Sequence, residues 1–542
     1  MLTFAAVFGY GLYGVTALRT FRIGSYDLVI FDQAVRSYAH FHDGIAPVKG
    51  IQDGFSADFS VLGDHWSPVL AVLAPLYWVA GQPVTLELAQ GVLFALAIPP
   101  LWLFARGLAS SSLASSSMAG LSVAEHPEVA AYLACTAYAL SWPVAEATEA
   151  GFHEVAFVPV LTAVFFERLL AGRTRTAMLA AGALLLVKED MGLLVAGLGL
   201  VLLVYGRVSP LPPRLCSPKK RRLLGIGMIA GGIAATWIST FVLRPLFGGR
   251  AGYYWSYGAL GPDPVQAAWH VLRDPWLALH VLGTPSVKLS TMAWLAGALL
   301  FLPLLSPLTL AALPLLLERM LASTEPNWWV TAFQYNAFLI VVLVCAALDG
   351  ALRLGRIIAR YSGRQGNAER VVTYWYAATC AAMCLAAVVL VPVFAFGAML
   401  RPSFYVRDAT MRAQAAAVSV VPSGVTADVA DMMGPALSGR DTVLLWGPSA
   451  HTAAWIVAQS WYSFPWPTKA EQLTSLATLE KTGWRVVFAQ DGYLVLHRLA
   501  CAARWRDAAR NHAAASGRQR PRRAVRADER PGIGADGGVH PA

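Results

Sequence analysis

The residues best suited to chemistry lie in polar islands between apolar stretches. Tyr26-Asp27-Leu28 and Phe31-Asp32-Gln33 follow the first apolar run, and Asp43, Asp53, Asp58 and Gly63-Asp64-His65-Trp66-Ser67-Pro68 come after them. A carboxylate such as Asp27 can act as general base on an acceptor hydroxyl or amine. It can equally serve as a helix N-cap, since Asp is a favoured capping residue. Asp32 would fall on the helix that follows, either at a site or on a solvated face. Asp64 and His65 precede Ser67-Pro68, a helix-start signal. That pair can orient a substrate, relay a proton or help hold a metal, although no partner at metal-ligand spacing accompanies it.

Three further islands carry charge. Phe152-His153-Glu154 lies near Glu146 and Glu149, at the mouth of a helix pair or as dipole compensation at a helix start. Lys188-Glu189-Asp190 separates two apolar stretches. Charges within hydrocarbon cost about 2.5–3.5 kcal/mol each on the insertion scale, so these three belong at a turn or beside a wet cavity. Lys188 suits the anchoring of a lipid-linked phosphate; otherwise Lys188 and Glu189 form an ion pair at a hairpin tip. Arg319 closes one apolar run and Tyr335 opens the next. Both can contact a pyrophosphate or sugar, in a loop whose other aromatics fit an ordinary interfacial belt.

These islands need a membrane scaffold to position them. The 542-residue chain is 56% hydrophobic and 14% charged, against about 25% charge in a typical soluble domain. Apolar runs of about 17–25 residues identify a mainly α, polytopic membrane protein. About eleven spans are expected: 1–18, 84–105, 128–143, 155–170, 176–187, 190–206, 223–243, 291–304, 307–321, 331–350 and 371–399. The acidic first loop covers 19–66. The segment 67–81, interrupted by Pro68 and Pro75, reads as an interfacial helix. No cleavable signal pattern is visible, so the first run reads as an uncleaved anchor.

Lys and Arg set the orientation. The groups Arg168–Arg175, Arg207–Arg222 and Arg353–Arg370 share one side if 67–81 does not cross. That side is read as cytoplasmic, with the N-terminus. The acidic loop, the 146–154 loop, the 244–290 loop and the C-terminal part then lie outside, in a plasma-membrane protein. The net charge of +10 reflects such loops rather than nucleic-acid binding.

The Ser/Ala-rich stretch 108–127 reads as a flexible connector. After residue 400 the pattern changes. Thr442–Trp446, Trp484–Phe488 and Tyr493–His497 read as strands, the last two joined by a Gln490-Asp491-Gly492 turn. Ala409–Val421 and Ala470–Thr482 read as helices. Residues 1–400 thus form a transmembrane part, 401–500 a small extracytoplasmic α/β domain, and 501–542 a disordered basic tail. The six cysteines are scattered and imply no disulfide framework. No phosphate-binding glycine loop, dinucleotide fingerprint, nucleophile elbow or zinc motif occurs, which leaves direct use of ATP, NAD or structural zinc without support. A divalent cation stays open, and the cofactor is otherwise unknown.

Taken together, Tyr26-Asp27-Leu28, Phe31-Asp32-Gln33, Gly63–Pro68, Phe152-His153-Glu154, Lys188-Glu189-Asp190-Met191-Gly192, Gln334-Tyr335-Asn336 and Asp491-Gly492-Tyr493 resemble a family of bacterial, often actinobacterial, membrane proteins known as domain of unknown function 2079. The resemblance covers roughly residues 20–500. That family in turn looks like the GT-C class of membrane glycosyltransferases, which take a sugar from a polyprenyl-phosphate donor on the outer membrane face. The resemblance implies a catalytic acid residue at Asp27, or else Asp32, a second acidic residue at Glu154 and a phosphate-binding lysine at Lys188, with an envelope acceptor as partner. One departure is Gln334, where the family pattern often has His; a role resting on that His is absent here. The competing readings are a transporter or flippase of a lipid-linked solute, and a noncatalytic scaffold or sensor. Broken helices and internal repeats would mark a transporter, and no repeat is evident.

Overall fold

A computed structural model describes residues 1–113, 127–208, 217–250, 252, 255–361, 368–449 and 452–498. The chain is mainly α-helical, and residues Met1–His497 form one compact unit. Four helices are long and apolar enough to cross a membrane: Pro83–Ser110, Pro218–Leu246, Gln334–Tyr361 and Ala368–Leu390. Gln334–Tyr361 runs through the centre, with 89% of its apolar window buried, whereas Pro218–Leu246 is peripheral at 17%. Two apolar helices are thus placed oppositely, one inside the protein core and the other with its apolar surface uncovered.

Of the about eleven expected spans, four meet the length and hydropathy of a crossing helix among the described residues, and the fuller count is not confirmed. Apolar composition does not measure helix continuity. The expected spans 291–304 and 307–321 resolve into helix Val287–Gly297, 3₁₀ turns Leu302–Leu305 and Pro307–Ala311, and helix Leu313–Leu321. Leu300 and Phe301 have φ of 57° and 56°, a left-handed conformation that stops a right-handed helix. The expected span 176–187 is the short helix Thr174–Leu184. Within Pro83–Ser110, helix Pro83–Leu96 passes to helix Ile98–Leu113 at Pro99-Pro100, whose nitrogens cannot donate to the preceding turn. Residues 108–113 of the expected connector continue that helix. Residues 114–126 and the tail 501–542 lie outside the described residues.

The 67–81 segment forms a 3₁₀ turn, Pro68–Leu73, and a short helix, Ala74–Ala80. At ~1.5 Å per residue it falls well short of ~30 Å of hydrocarbon, as an interfacial element would. The acidic first loop is largely helical, with helices Ser25–Ala39, Pro47–Gln52 and Val61–Asp64.

Five strands form one sheet: β1 Thr426–Val429, β2 Thr442–Leu445, β3 Trp455–Gln459, β4 Trp484–Gln490 and β5 Tyr493–Arg498, in the order β2-β1-β3-β5-β4. β1 runs parallel to β2 and β3, and β5 antiparallel to β3. The β4–β5 turn has positive φ at both Asp491 (45°) and Gly492 (75°), the requirement of a type I′ hairpin turn. Helices Ala409–Val420 and Lys469–Lys481 accompany the sheet. β1 and β3 are strands that the sequence reading does not anticipate.

Side chains join this region to helix Ser25–Ala39. Gly24 precedes helix Ser25–Ala39 and has no side chain with which to cap it. Asp431 supplies the acceptor instead: its Oδ1 receives Ser25 N at 2.8 Å and Tyr26 N at 3.2 Å. Gln33 Nε2 donates to the Val443 carbonyl at 2.8 Å, and its Oε1 accepts from Val48 N at 3.0 Å. The residues around β1 and β2 thus fix the pitch of the helix that carries Asp27.

Candidate functional site

Lys188, Glu189 and Asp190 occupy the turn between helices Thr174–Leu184 and Met191–Val208. They line a cleft of about 220 Å³ together with His65, Arg319 and Tyr335. Five residues nominated from sequence therefore meet in one place although up to 270 positions separate them (335 − 65). A second wall comes from Thr236, Thr240, Phe241 and Arg244 of Pro218–Leu246. That helix opens into a five-residue π-turn, Ser239–Leu243, at the level of the cleft. Such turns re-aim side chains and concentrate at functional sites.

Ion pairs set the geometry. Glu189 Oε1 lies 2.7 Å from His65 Nδ1, and its Oε2 accepts from Trp66 N at 3.0 Å. Arg244 Nη1 stands 4.0 Å from the same carboxylate. Burial alone would raise Glu189, but His65, Lys188 and Arg244 together hold it far below the usual carboxylate range. Lys188 Nζ sits 3.6 Å from Glu154 Oε1. Burial alone would lower the Lys188 ammonium, yet Glu154, Asp190 and Glu189 outweigh it and raise it above its ordinary value. Asp190 shows the reverse balance: burial, with the repulsion of Glu189 added, outweighs Lys188 and pushes it up to about 6. The surrounding carboxylates thus favour the charged form of Lys188, and an ammonium carries three donors.

Asp27 lies outside the cleft lining and is joined to it through the loop that carries His153 and Glu154, the partner of Lys188. Its side chain is 49% exposed, and Oδ2 lies 3.5 Å from His153 Nε2. His65 also helps to lower Asp27. The loop that presents His153 and Glu154 is fixed from below by helix Pro83–Leu96. Glu87 Oε1 accepts from Phe152 N at 2.9 Å, and Gln90 Oε1 from His153 N at 3.1 Å. Gly151 turns this loop at φ 85°, where a side chain would be strained.

His153 Nδ1 is 3.0 Å from the Gly151 carbonyl and Nε2 faces Asp27, so both ring nitrogens point at acceptors. That arrangement favours the imidazolium, which donates from both. Burial alone would lower His153 and raise Asp27, but their mutual attraction outweighs it: His153 is raised and Asp27 lowered. The linkage follows in sign. The Asp27 contribution is present above its unfolded value near 3.9 and fades as pH falls through its lower folded value. The His153 contribution is present below its unfolded value near 6.5 and fades as pH rises through its higher folded value. The pair is thus complete between about pH 4 and 6.5 and persists some way above. Titration of His153 by NMR should give a midpoint above 6.5 in the native chain and a lower one in Asp27→Asn. An unshifted midpoint in both would remove the pair from the site.

Other nominated residues do not join the cleft. Asp32 is fully buried; Tyr77 OH donates to it at 2.7 Å, Arg36 Nη2 at 3.1 Å, and Ser438 Oγ also donates to it. The Ser438 bond ties helix Ser25–Ala39 to the chain near β2. Asp64 lies 3.2 Å from Lys49, which also meets Asp53 at 2.7 Å and Tyr26 OH at 3.0 Å. Arg319 reaches the cleft but is committed to the next loop. Nε and Nη2 both donate to Trp328 O, at 3.1 and 2.6 Å, and Nη1 donates to Tyr335 O at 2.5 Å and to Asn336 Oδ1 at 3.1 Å. It positions Tyr335.

Arg244, Glu318, Glu87 and Gln90 belong to the site or its support without having been nominated. Two signals in the sequence could have found some of them. Arg244 is a cation at the end of an apolar run read as outward-facing, against the Lys/Arg rule. Glu87 and Gln90 are polar side chains one turn apart within an apolar run. Among the described residues, no group of three or more His, Cys, Asp or Glu is arranged to hold a metal ion.

A mainly helical chain with a charged cleft at the ends of apolar helices defines an integral membrane protein. Over residues 17–495 the chain matches the model of the family described as Predicted membrane protein (DUF2079), and it belongs to that family. No curated protein matches it.

Proposed function

We propose that this protein is a glycosyltransferase that moves a sugar from a polyprenyl-phosphate donor to an envelope acceptor on the outer face of the plasma membrane. The observation that carries the reading is the exposed Asp27 carboxylate, tied through the His153-Glu154 loop to Lys188 in a cleft that also holds Arg244 and has one wall on a peripheral apolar helix. The reading includes the fuller topology of about eleven crossings, cytoplasmic basic loops and a C-terminal α/β domain outside.

In the proposed reaction the acceptor oxygen attacks the anomeric carbon as the bond to the donor phosphate breaks, inverting that carbon. The acceptor proton passes to Asp27. Lys188 and Arg244 stabilise the charge gathering on the departing polyprenyl phosphate. Because His153 lowers Asp27, the carboxylate is a weak base, suited to a proton that leaves late, once the acceptor oxygen has become acidic through bond formation. Glu154 holds Lys188 in place through the 3.6 Å pair.

Native mass spectrometry of the full chain titrated with a polyprenyl-phosphate monosaccharide tests the donor half. One lipid should bind the native protein, and Arg244→Gln should weaken it about tenfold, the equivalent of one charge-assisted hydrogen bond of ~1.4 kcal/mol. Equal retention by both, or by neither, would contradict the reading.

A further inference from the structure

Between the peripheral helix Pro218–Leu246 and helix Val287–Gly297, the chain forms two short helices, Pro264–Arg273 and Pro275–Gly283. Each starts on a capping aspartate: Asp263 Oδ1 accepts from Gln266 N at 2.9 Å, and Asp274 Oδ1 from Leu277 N at 3.1 Å. Val265, Trp269 and Leu272 recur at i, i+4 and i+7, which is one face of the first helix. Trp276 and Leu279 continue the strip at i and i+3 on the second. All five are exposed, Val265 and Leu272 to 78% and Trp276 to 77%.

The opposite side is packed. Ala267 and Val281 meet Leu260 in a small core of their own, with Leu321 against it. His270 Nδ1 contacts the Leu260 carbonyl at 2.6 Å. The two helices are therefore folded against something, and Val265, Trp269, Leu272, Trp276 and Leu279 point away from it. Such a strip in water would be an aggregation surface.

Position and chemistry say what covers it. The segment is tethered at Leu246, itself 74% exposed at the end of a helix able to cross the membrane. Tryptophan is the residue type that settles where hydrocarbon meets headgroups. An amphipathic helix at that level buries its apolar face some 5–10 Å into the headgroup–acyl boundary. The same segment lines the cleft through Trp255, Tyr257 and Pro264, facing Phe241 and Arg244 of Pro218–Leu246.

We infer that Pro264–Arg273 and Pro275–Gly283 lie in the lipid–water interface, with Val265, Trp269, Leu272, Trp276 and Leu279 immersed in lipid. The cleft is then bounded on that side by two elements seated in the bilayer, and a ligand with a lipid anchor reaches it without leaving the membrane. The interfacial seat does not depend on the proposed transferase reaction; only the lipid-anchored ligand does.

The test is nitroxide labelling of the full chain in lipid nanodiscs, at Trp269→Cys, Leu272→Cys and, for comparison, Gln266→Cys, with the six native cysteines replaced by Ala. Labels at 269 and 272 should collide several-fold more often with oxygen, which partitions into lipid, than with a water-soluble nickel chelate; the label at 266 should show the smaller preference. Chelate access at 269 and 272 equal to that at 266 would overturn the inference, as would exclusion of both reagents, which would mean a protein cover. If the cysteine-free chain does not fold, a diazirine-bearing phosphatidylcholine serves with the native chain. Its crosslinks should map to peptides within 264–283, and their absence there would overturn the inference equally.

Discussion

Lys188→Ala should lower the stability of the protein by about 3–5 kcal/mol, and adding Glu154→Gln should recover most of that loss. Glu154 is 2% exposed and Lys188 Nζ, 3.6 Å away, is its ion-pair partner. Removing one partner of a buried pair leaves an uncompensated charge, which costs more than the pair contributes. Replacing both removes the isolated charge. Glutamine at 154 keeps the side-chain shape, so the double variant isolates the electrostatic part. Chemical denaturation of the full chain in detergent micelles reads both. A Lys188→Ala chain as stable as the native one would mean that Lys188 is solvated rather than held. A double variant no better than the single one would mean that the loss is packing.

Asp27→Asn should lower stability only by the share its pair with His153 contributes, and reduce sugar transfer by about 10²–10⁴-fold, the range for loss of a general base. Its carboxylate is 49% exposed, so that pair is screened by solvent and its share is small beside the buried Lys188–Glu154 pair. The fold around Asp27 rests on Glu87, Gln90 and Asp431, which hold backbone N–H groups and do not require Asp27. Donor binding at Lys188 and Arg244 should persist, so the variant separates chemistry from binding. A variant that binds donor and turns it over normally would move the base elsewhere. Asp32 is a poor substitute, because its oxygens already accept from Tyr77, Arg36 and Ser438.

The site was more legible in the sequence than the spans. Lys188-Glu189-Asp190 and Asp64-His65 stand out because charge in an apolar context needs a reason, and four of these five residues do enter the cleft or its ion pairs. Asp64 does not, since its partner Lys49 lies fifteen residues upstream in a helix that only the folded chain brings alongside. Arg319 was legible as a cation near the site, but its carbonyl partners in the 328–336 loop were not, because backbone carbonyls leave no trace in composition. Helix continuity was hidden for a related reason: Leu300-Phe301 is as apolar as any helix, and only its backbone conformation shows the break. The hairpin at Asp491-Gly492 was legible because its turn demands those residue types. β1 was not, being four residues long with Asp428 buried in its middle.

The central claim, transfer from a polyprenyl-phosphate sugar, meets its most direct test in cells lacking the gene and complemented with native chain or with Asp27→Asn. Mass spectrometry of their lipid extracts and envelope glycans reads donor and product together. We expect polyprenyl-phosphate sugar to accumulate and one glycan modification to disappear in the deletion strain. Native chain should restore both; Asp27→Asn should restore neither. Unchanged donor and glycan in the deletion strain, or full restoration by Asp27→Asn, would contradict the account.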